Sequence, residues 1–250
     1  MPVRVRRTVA KEARRNQILD AAEGVFFERG FEGTSVDAVA EVATVSKGLI
    51  YLYFANKHEL FLGLTLRGLE ELHRRMVEAT ESAEADTGLK KYRAIGVAYL
   101  RFSQEHPGYF RAVATFEASE IDPAELGEVE AACVAKARWC LDFATTVVEE
   151  GQRDGSIRTD VPARLAAVSV WSQMHGVIQH ARLRPFDARD AKDRRIHDSE
   201  PSDLFAMFIF GVGQALASRE PGVERAGTHV APSWQQFLAD FRDQFDDGDP

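Results

Sequence analysis

Cysteine is scarce in this chain: Cys133 and Cys140 are the only two among 250 residues. They stand seven positions apart in a helical stretch, so they share a helix face about 10 Å apart along the axis. That is too far for an intrahelix disulfide. No Cys-x-x-Cys pair occurs, which removes the usual zinc frameworks. Both read as core cysteines, with redox sensing or an intersubunit bridge as the alternative. No apolar run approaches the length of a membrane span. The N-terminal MPVRVRRTVAKEARR is basic but lacks the apolar core of a secretory signal. The chain also lacks a phosphate-binding glycine loop, a G-x-S-x-G elbow and an H-E-x-x-H pair. An enzyme, a metal and a cofactor are therefore not expected, and no membrane association is.

Charge is present but unevenly spread. The net value of −8 argues against nucleic acid only as an average. Arg4, Arg6, Arg7, Lys11, Arg14 and Arg15 crowd the first fifteen residues, with Glu12 the one acid among them. Asp240, Asp243, Asp246, Asp247 and Asp249 collect at the other end. A basic arm with an acidic body suits a protein that meets DNA at one pole. The arm reads either as a solvated tail or as a phosphate or minor-groove contact.

Residues 34–57, TSVDAVAEVATVSKGLIYLYFANK, read as two short helices joined by a tight turn, with a third helix starting at once. Thr34 is the expected N-cap, with Asp37 three residues on. Val36, Val39, Ala40 and Ala43 recur at i, i+3, i+4 and i+7, one apolar face. Ala43-Thr44-Val45 has the length of a helix-turn-helix corner. Ser46 can cap the second helix, whose Ile50 and Phe54 face inward. Gly48 and Leu52 lie opposite that pair, Leu49 and Tyr51 flank them, and Lys47 and Tyr53 sit towards the edges. A solvent-facing helix normally turns charge outward. A glycine, leucines and tyrosines instead suit a partner: the glycine admits a phosphate, the tyrosines offer hydroxyls to phosphate oxygens, and the leucines can touch thymine methyls.

The run SKGLIYLYFANKHELF resembles the signature that ends the DNA-binding domain of the TetR family, and RRNQILDAAEGVFFERGFEGTSVDAVA resembles its first two helices. The likeness covers about residues 12–62 and rests on ILDAA, F-x-x-x-GF, TSVD, VSKG, YxYF and NKxEL in order. Two positions depart from the pattern. Thr44 stands where the turn usually carries glycine, a strained choice if that position needs a positive φ. Leu49 stands where a small polar residue is common, which shifts readout towards apolar contact or shape.

The resemblance implies an all-α fold: an N-terminal three-helix helix-turn-helix DNA-binding domain and a larger helical ligand-binding and dimerisation domain. The expected division is 1–56 for the head with its basic arm, 57–219 for the body, and 220–250 for an extension holding an amphipathic helix (Trp234, Phe237, Leu238, Phe241) and the acidic tail. Helix 1 is expected over Lys11–Arg29, stopped by Gly30. Helix 4 is capped by Asn56 and Glu59 and runs to Thr80. Helix 5 covers Leu89–His106 before Pro107, and helix 6 starts at HPGYF. Helix 7 opens at Asp122-Pro123 and runs to Arg153, and helix 8 covers Pro162–Arg184. A charged, proline-broken insertion follows at 185–202. Helix 9, DLFAMFIFGVGQALAS, is apolar almost all round, so it is either a central core helix or covered by a second subunit. By resemblance, helices 8 and 9 pair with their symmetry mates in a homodimer.

The body is rich in aromatics. Most are core, but the family likeness implies an apolar pocket within helices 5 to 8. Trp139 and Phe143 are one turn apart, as are Trp171 and His175. These four and Phe102 are the expected pocket residues, with His175 otherwise a satisfied core or interface histidine. Such a lining suits a small hydrophobic or flat ligand.

The expected function is a dimeric, sequence-specific transcriptional regulator, most simply a repressor released from a palindromic operator by that ligand, in the bacterial cytoplasm. Lys47, Tyr51, Tyr53 and Lys57 would hold phosphates. Gly48, Leu49 and Leu52 would face base edges, and Thr34 and Ser35 would offer hydroxyl and backbone N–H contacts. An activator, a ligand-independent regulator, and a dimeric protein-interaction module using helix 3 remain open as alternatives.

Overall fold

The computed structural model describes residues 3–82, 84–119, 126–182 and 201–218. Among them run nine helices: α1 (Val3–Gly33), α2 (Val36–Ala43), α3 (Lys47–Tyr51), α4 (Lys57–Thr80), α5 (Gly88–Glu105), α6 (Pro107–Glu117), α7 (Glu128–Asp154), α8 (Ala163–Arg182) and α9 (Pro201–Leu216). The all-α expectation holds, with one isolated antiparallel bridge between Ile157 and Ala217 among the described residues. Asp122-Pro123, the insertion up to residue 200 and the 220–250 extension lie outside the described residues.

The described residues form two compact units, each discontinuous in sequence: residues up to Arg74 with Phe102–Trp139, and Arg75–Arg101 with those from Cys140 on. The units do not coincide with a linear division at 56/57, because α4, α5 and α7 each supply residues to both.

In the first unit, α1 buries Ile18, Leu19, Ala22, Val25 and Phe26 at helical spacing. Its regular course stops at Gly30, which takes φ 73°. The helix starts at Val3, so the backbone of the basic arm is helical. Val36, Val39, Ala40 and Ala43 of α2 complete the core together with Ile50, Phe54, Leu60 and Leu64. Gly63 of α4 marks the closest approach, since a Cβ there would lie 2.8 Å from the Leu19 side chain and 3.3 Å from the Phe54 ring.

The N-cap of α2 corrects the sequence expectation. Ser35, not Thr34, caps the helix, and its Oγ accepts a hydrogen bond from the Ala38 N–H at 3.2 Å. Thr34 is buried, and its hydroxyl donates to the Gly30 carbonyl at 2.7 Å. The end of α1 leaves that carbonyl without a helical partner, and the hydroxyl satisfies it.

The corner after α2 is a Schellman turn: the Thr44 N–H reaches the Glu41 carbonyl at 3.1 Å and the Val45 N–H the Ala40 carbonyl at 3.0 Å. The motif needs a left-handed residue, and Thr44 supplies it at φ 55°, ψ 46°. Among the described residues Thr44 is the one non-glycine with positive φ, and β-branching makes it strained there. Ser46 then caps α3, its Oγ accepting from the Leu49 N–H at 3.2 Å. The expected capping box of α4 is present: the Glu59 N–H donates to Asn56 Oδ1 at 2.8 Å, and the Ala55 N–H donates to Glu59 Oε2 at 2.5 Å.

A second cluster in the same unit joins Leu62 and Leu69 of α4, Val113 and Phe116 of α6, and Cys133 of α7. Both cysteines are buried. Burial pushes the Cys133 thiol up to about 12, with Glu130 and Glu70 adding to the effect, so it stays protonated and unreactive at neutral pH. Helix α6 is fastened to α1. The Tyr109 hydroxyl donates to Glu23 at 2.6 Å, Arg111 donates to the Phe27 carbonyl at 2.9 Å, and a Cβ on Gly108 would stand 2.2 Å from the Phe27 ring.

In the second unit, the start of α5 lies against the end of α7. A Cβ at Gly88 would sit 2.1 Å from the Gly151 nitrogen, so only glycine fits. Asp154 and Ser156 accept from the Gly88 and Leu89 N–H groups at 2.7 and 3.0 Å. Helix α8 packs on α9.

Two stability measurements check this reading of the first unit. Thr44→Gly removes a left-handed penalty of about 1–2 kcal/mol at an entropic cost of about 0.5–1 kcal/mol. An unfolding free energy higher by up to about 1.5 kcal/mol, read as a raised denaturant midpoint, is expected, and a lowered midpoint would contradict the strain. Ile50→Ala should cost about 2–5 kcal/mol, whereas Leu52→Ser should stay within about 0.5 kcal/mol of the parent. A large loss at Leu52 would mean that the two faces of α3 have been assigned the wrong way round.

Candidate nucleic-acid interface

Five residues are too few for a helix to hold itself together in water. Helix α3 is fixed by its surroundings: Ile50 and Phe54, each 1% exposed, anchor one side in the core of the first unit. That anchoring decides what faces out. Leu52 is 76% exposed and Tyr51 46%, both large apolar side chains that folding leaves in water. Gly48 is exposed, and a Cβ on it would meet nothing within 4 Å. Leu49 is half-buried, and Tyr53 is half-buried against the core. Val42 at the end of α2 adds a further exposed apolar side chain, 58% accessible, that the sequence reading passed over. Its place at the edge of the α2 apolar stripe, about 100° from Ala43 on the helical wheel, was the available signal.

The polar candidates are engaged in ways the spacing did not indicate. Lys47 Nζ bonds Asp37 Oδ2 at 2.7 Å, tying the start of α3 to the first turn of α2. Both groups are exposed, so the pair adds little stability. The hydrogen bond to Asp37 holds the Lys47 ammonium above its usual pKa, leaving it charged throughout the physiological range. Lys57 Nζ donates to the Phe31 carbonyl at 2.9 Å and lies 4.3 Å from the centre of the Phe31 ring. It thereby staples the end of α1 to the start of α4. Ser35 is exposed, with its oxygen used in capping, while the Thr34 hydroxyl points inward. Arg15 stacks over Phe54 at 5.0 Å, so one residue of the basic arm has a structural partner.

The candidate ligand residues are distributed between the units. Phe102, fully buried, and Trp139 belong to the first. Phe102 packs on His106 with ring centres 6.0 Å apart, and Trp139 stacks on His73. Burial and the Lys136 ammonium lower the His73 pKa, so that imidazole is neutral at pH 7. Phe143, Trp171 and His175 belong to the second unit. There the Tyr99 hydroxyl meets His175 Nδ1 at 2.6 Å and Trp171 packs on the Tyr99 ring at 5.0 Å. Burial lowers the His175 pKa, which keeps that ring neutral too.

An enclosed apolar cavity of about 20 Å³ lies within the second unit, bounded by α5, α7, α8 and α9. Trp171 lines it, with Tyr92, Ile95, Met174 and Ile209. Of the five candidates, Trp171 is among the lining residues of this cavity. A wider groove of about 430 Å³ runs along α8 and α9 of the same unit, past Leu165, Met207 and Phe208. Leu165 is 57% and Met207 64% exposed. The cavity and the groove share Val170 and Val212 as walls. Among the described residues no cluster of His, Cys, Asp and Glu could hold a metal. No helix among them is long and apolar enough to cross a membrane.

Comparison with known proteins bears directly on this arrangement. Residues 18–64 match the family model of bacterial regulatory proteins of the tetR family. Residues 92–199 match the tetracyclin repressor-like C-terminal domain. The HTH-type transcriptional regulator YhgD of Bacillus subtilis is 31% identical over 157 residues, which are 62% of this chain and 78% of the relative. Among solved structures, the fatty acid degradation regulator FadR of Bacillus halodurans superposes with a TM-score of 0.60 at 17% identity, covering 82% of this chain and 97% of that one. The regulator AibR, solved with isovaleryl coenzyme A and operator DNA, superposes with a TM-score of 0.58 at 18% identity, covering 83% and 100%. These structural likenesses establish the fold, and the sequence matches establish the lineage. With α2, the Thr44 corner and α3 in place on its N-terminal unit, this chain belongs to the TetR family of DNA-binding transcriptional regulators.

Proposed function

We propose that the protein is a homodimeric repressor that holds a palindromic operator through α3 and leaves it when a small hydrophobic ligand enters the second unit. The observation that carries this reading is the outward face of α3, where Leu52 and Tyr51 stay in water while Ile50 and Phe54 are buried. Gly48, Leu49 and Leu52 face base edges, with leucine contacts to thymine methyls favouring A·T pairs there. Lys47, Tyr51, Tyr53 and Lys57 take phosphates, joined by the Ser35 region at the start of α2. Lys47 exchanges Asp37 for a phosphate on binding. Thr34 contributes by shaping the turn rather than by its hydroxyl. Such a regulator works in the bacterial cytoplasm.

The dimer is assigned to α8 and α9. Leu165 and Met207 are exposed along that groove and Val168 is exposed on α8, and an exposed apolar surface of this kind favours a partner. Two heads then meet half-sites about 34 Å apart or somewhat more. Because Val170 and Val212 wall both cavity and groove, a ligand that expands the cavity presses on the dimer seam. The coupling must be reciprocal, so operator DNA weakens ligand binding by the same factor. The solved regulator bound to both an acyl coenzyme A and its operator supports a two-ligand scheme of this type.

Two experiments test the scheme. Lys47→Ala should weaken binding to every duplex and lower the slope of log affinity against log salt by about one. A loss confined to one sequence would contradict the phosphate role. Met207→Glu should convert the sedimenting dimer to monomer and lower operator affinity with it. A variant that stays dimeric would remove α8 and α9 from the interface.

A further inference from the structure

Among the described residues, the wall of the cavity in the second unit is mostly apolar and carries one charged group. Leu89, Ile95, Ala144, Ala167, Val170, Met174, Ile209 and Val212 contribute hydrocarbon, and Arg93 of α5 contributes a guanidinium. Its Nε is buried and has no hydrogen-bond partner. No carboxylate is among the described lining residues. Arginine remains protonated in proteins, and Arg93 is half-buried, so its positive charge stands at the edge of an apolar space with no counter-charge among those residues. Buried polar groups are normally satisfied and buried charges normally paired, and exceptions need a reason. The position of this one is specific. The guanidinium occupies the space that a side chain at residue 213 would fill, since a Cβ on Gly213 of α9 would lie 2.2 Å from Nη2 and 2.6 Å from Nε. A second glycine on the same wall, Gly96, lets Ile209 approach so closely that a Cβ there would stand 2.6 Å from its Cδ1. The walls are therefore side chains that can turn, and Met174 is the most adaptable of them.

A trapped water does not resolve the charge. About 20 Å³ admits about one water, but a water is neutral and leaves the guanidinium charge unpaired. Apart from Arg93, the lining offers only the Tyr92 hydroxyl and the Trp171 N–H as polar side-chain groups. A planar carboxylate matches the guanidinium fork and neutralises it, and the hydrocarbon walls suit an apolar body attached to that carboxylate.

We infer that this cavity is the closed form of a site for an apolar organic monocarboxylate, with Arg93 as the counter-charge and α9 held against it at Gly213. The inference rests on the ligand-responsive reading above and deepens it by naming the ligand class. It also places the ligand's charged end between α5 and α9, so that ligand entry acts on a helix of the proposed dimer seam.

The test uses the full-length protein and two matched probe pairs, octanoate with octanol and benzoate with benzyl alcohol, titrated calorimetrically. At least one carboxylate should bind about tenfold or more tightly than its alcohol, the margin of a charge-assisted hydrogen bond. Arg93→Met should erase that preference and retain the alcohol, since it replaces an unpaired charge by hydrocarbon of similar length. Gly213→Ala, which keeps the charge but displaces the guanidinium, should weaken carboxylate binding in the same direction. Equal binding of acid and alcohol, no carboxylate binding by the parent protein, or a preference that survives Arg93→Met would overturn the inference. Operator release is measured separately: a carboxylate that binds through Arg93 without releasing DNA leaves the site standing and overturns ligand-released repression.

Discussion

The burial of Ile50 and Phe54 is the constraint on which the outward face of α3, the proposed DNA-facing surface, depends. Helix α3 is too short to persist unaided, and nothing in its own backbone selects an orientation. Two apolar side chains, one turn apart and sunk into the core built by α1, α2 and α4, select it. Gly48, Tyr51 and Leu52 are outward because those two are inward. The corner before α3 serves the same end. Its Schellman bonds close the end of α2 and aim the chain at Ser46, at the cost of holding a threonine in a left-handed conformation. The strain at Thr44 is small beside what the core returns for a correctly placed α3.

Much of this was legible in the sequence because it rests on periodicity and capping. The inward stripe of α1 and α2, the Ile50–Phe54 pair, the Asn56–Glu59 box and the stop at Gly30 all follow from residue type at fixed spacing. The N-cap of α2 was misplaced by one residue because Thr34 and Ser35 are both competent caps. The choice between them turned on a free carbonyl at Gly30, a partner outside the local pattern. The partners of Lys47 and Lys57 were hidden for a similar reason. Asp37 is 10 residues from Lys47, and the Phe31 carbonyl is 26 residues from Lys57, distances that only the folded corner closes.

The ligand side was less legible. Aromatic residues at one-turn spacing are shared by cores and pockets alike, and Phe102 is fully buried. The more informative residue, Arg93, carries no motif; its meaning comes from three helices enclosing it and from a glycine on α9 that gives it room. Cavity and groove share two valines of the second unit, a physical basis for the proposed coupling of ligand to dimer without a long chain of intermediates. The fastening of α6 to α1 by Tyr109 and Arg111 likewise links a ligand-domain helix to the head within one unit.

The most direct measurement is selection of bound sequences from a random duplex pool by the purified protein at near-physiological salt. We expect enrichment of one palindrome whose half-sites are separated by about one helical turn or somewhat more. A folded protein that enriches no sequence, or enriches a single unrepeated half-site, would contradict operator recognition by paired α3 helices.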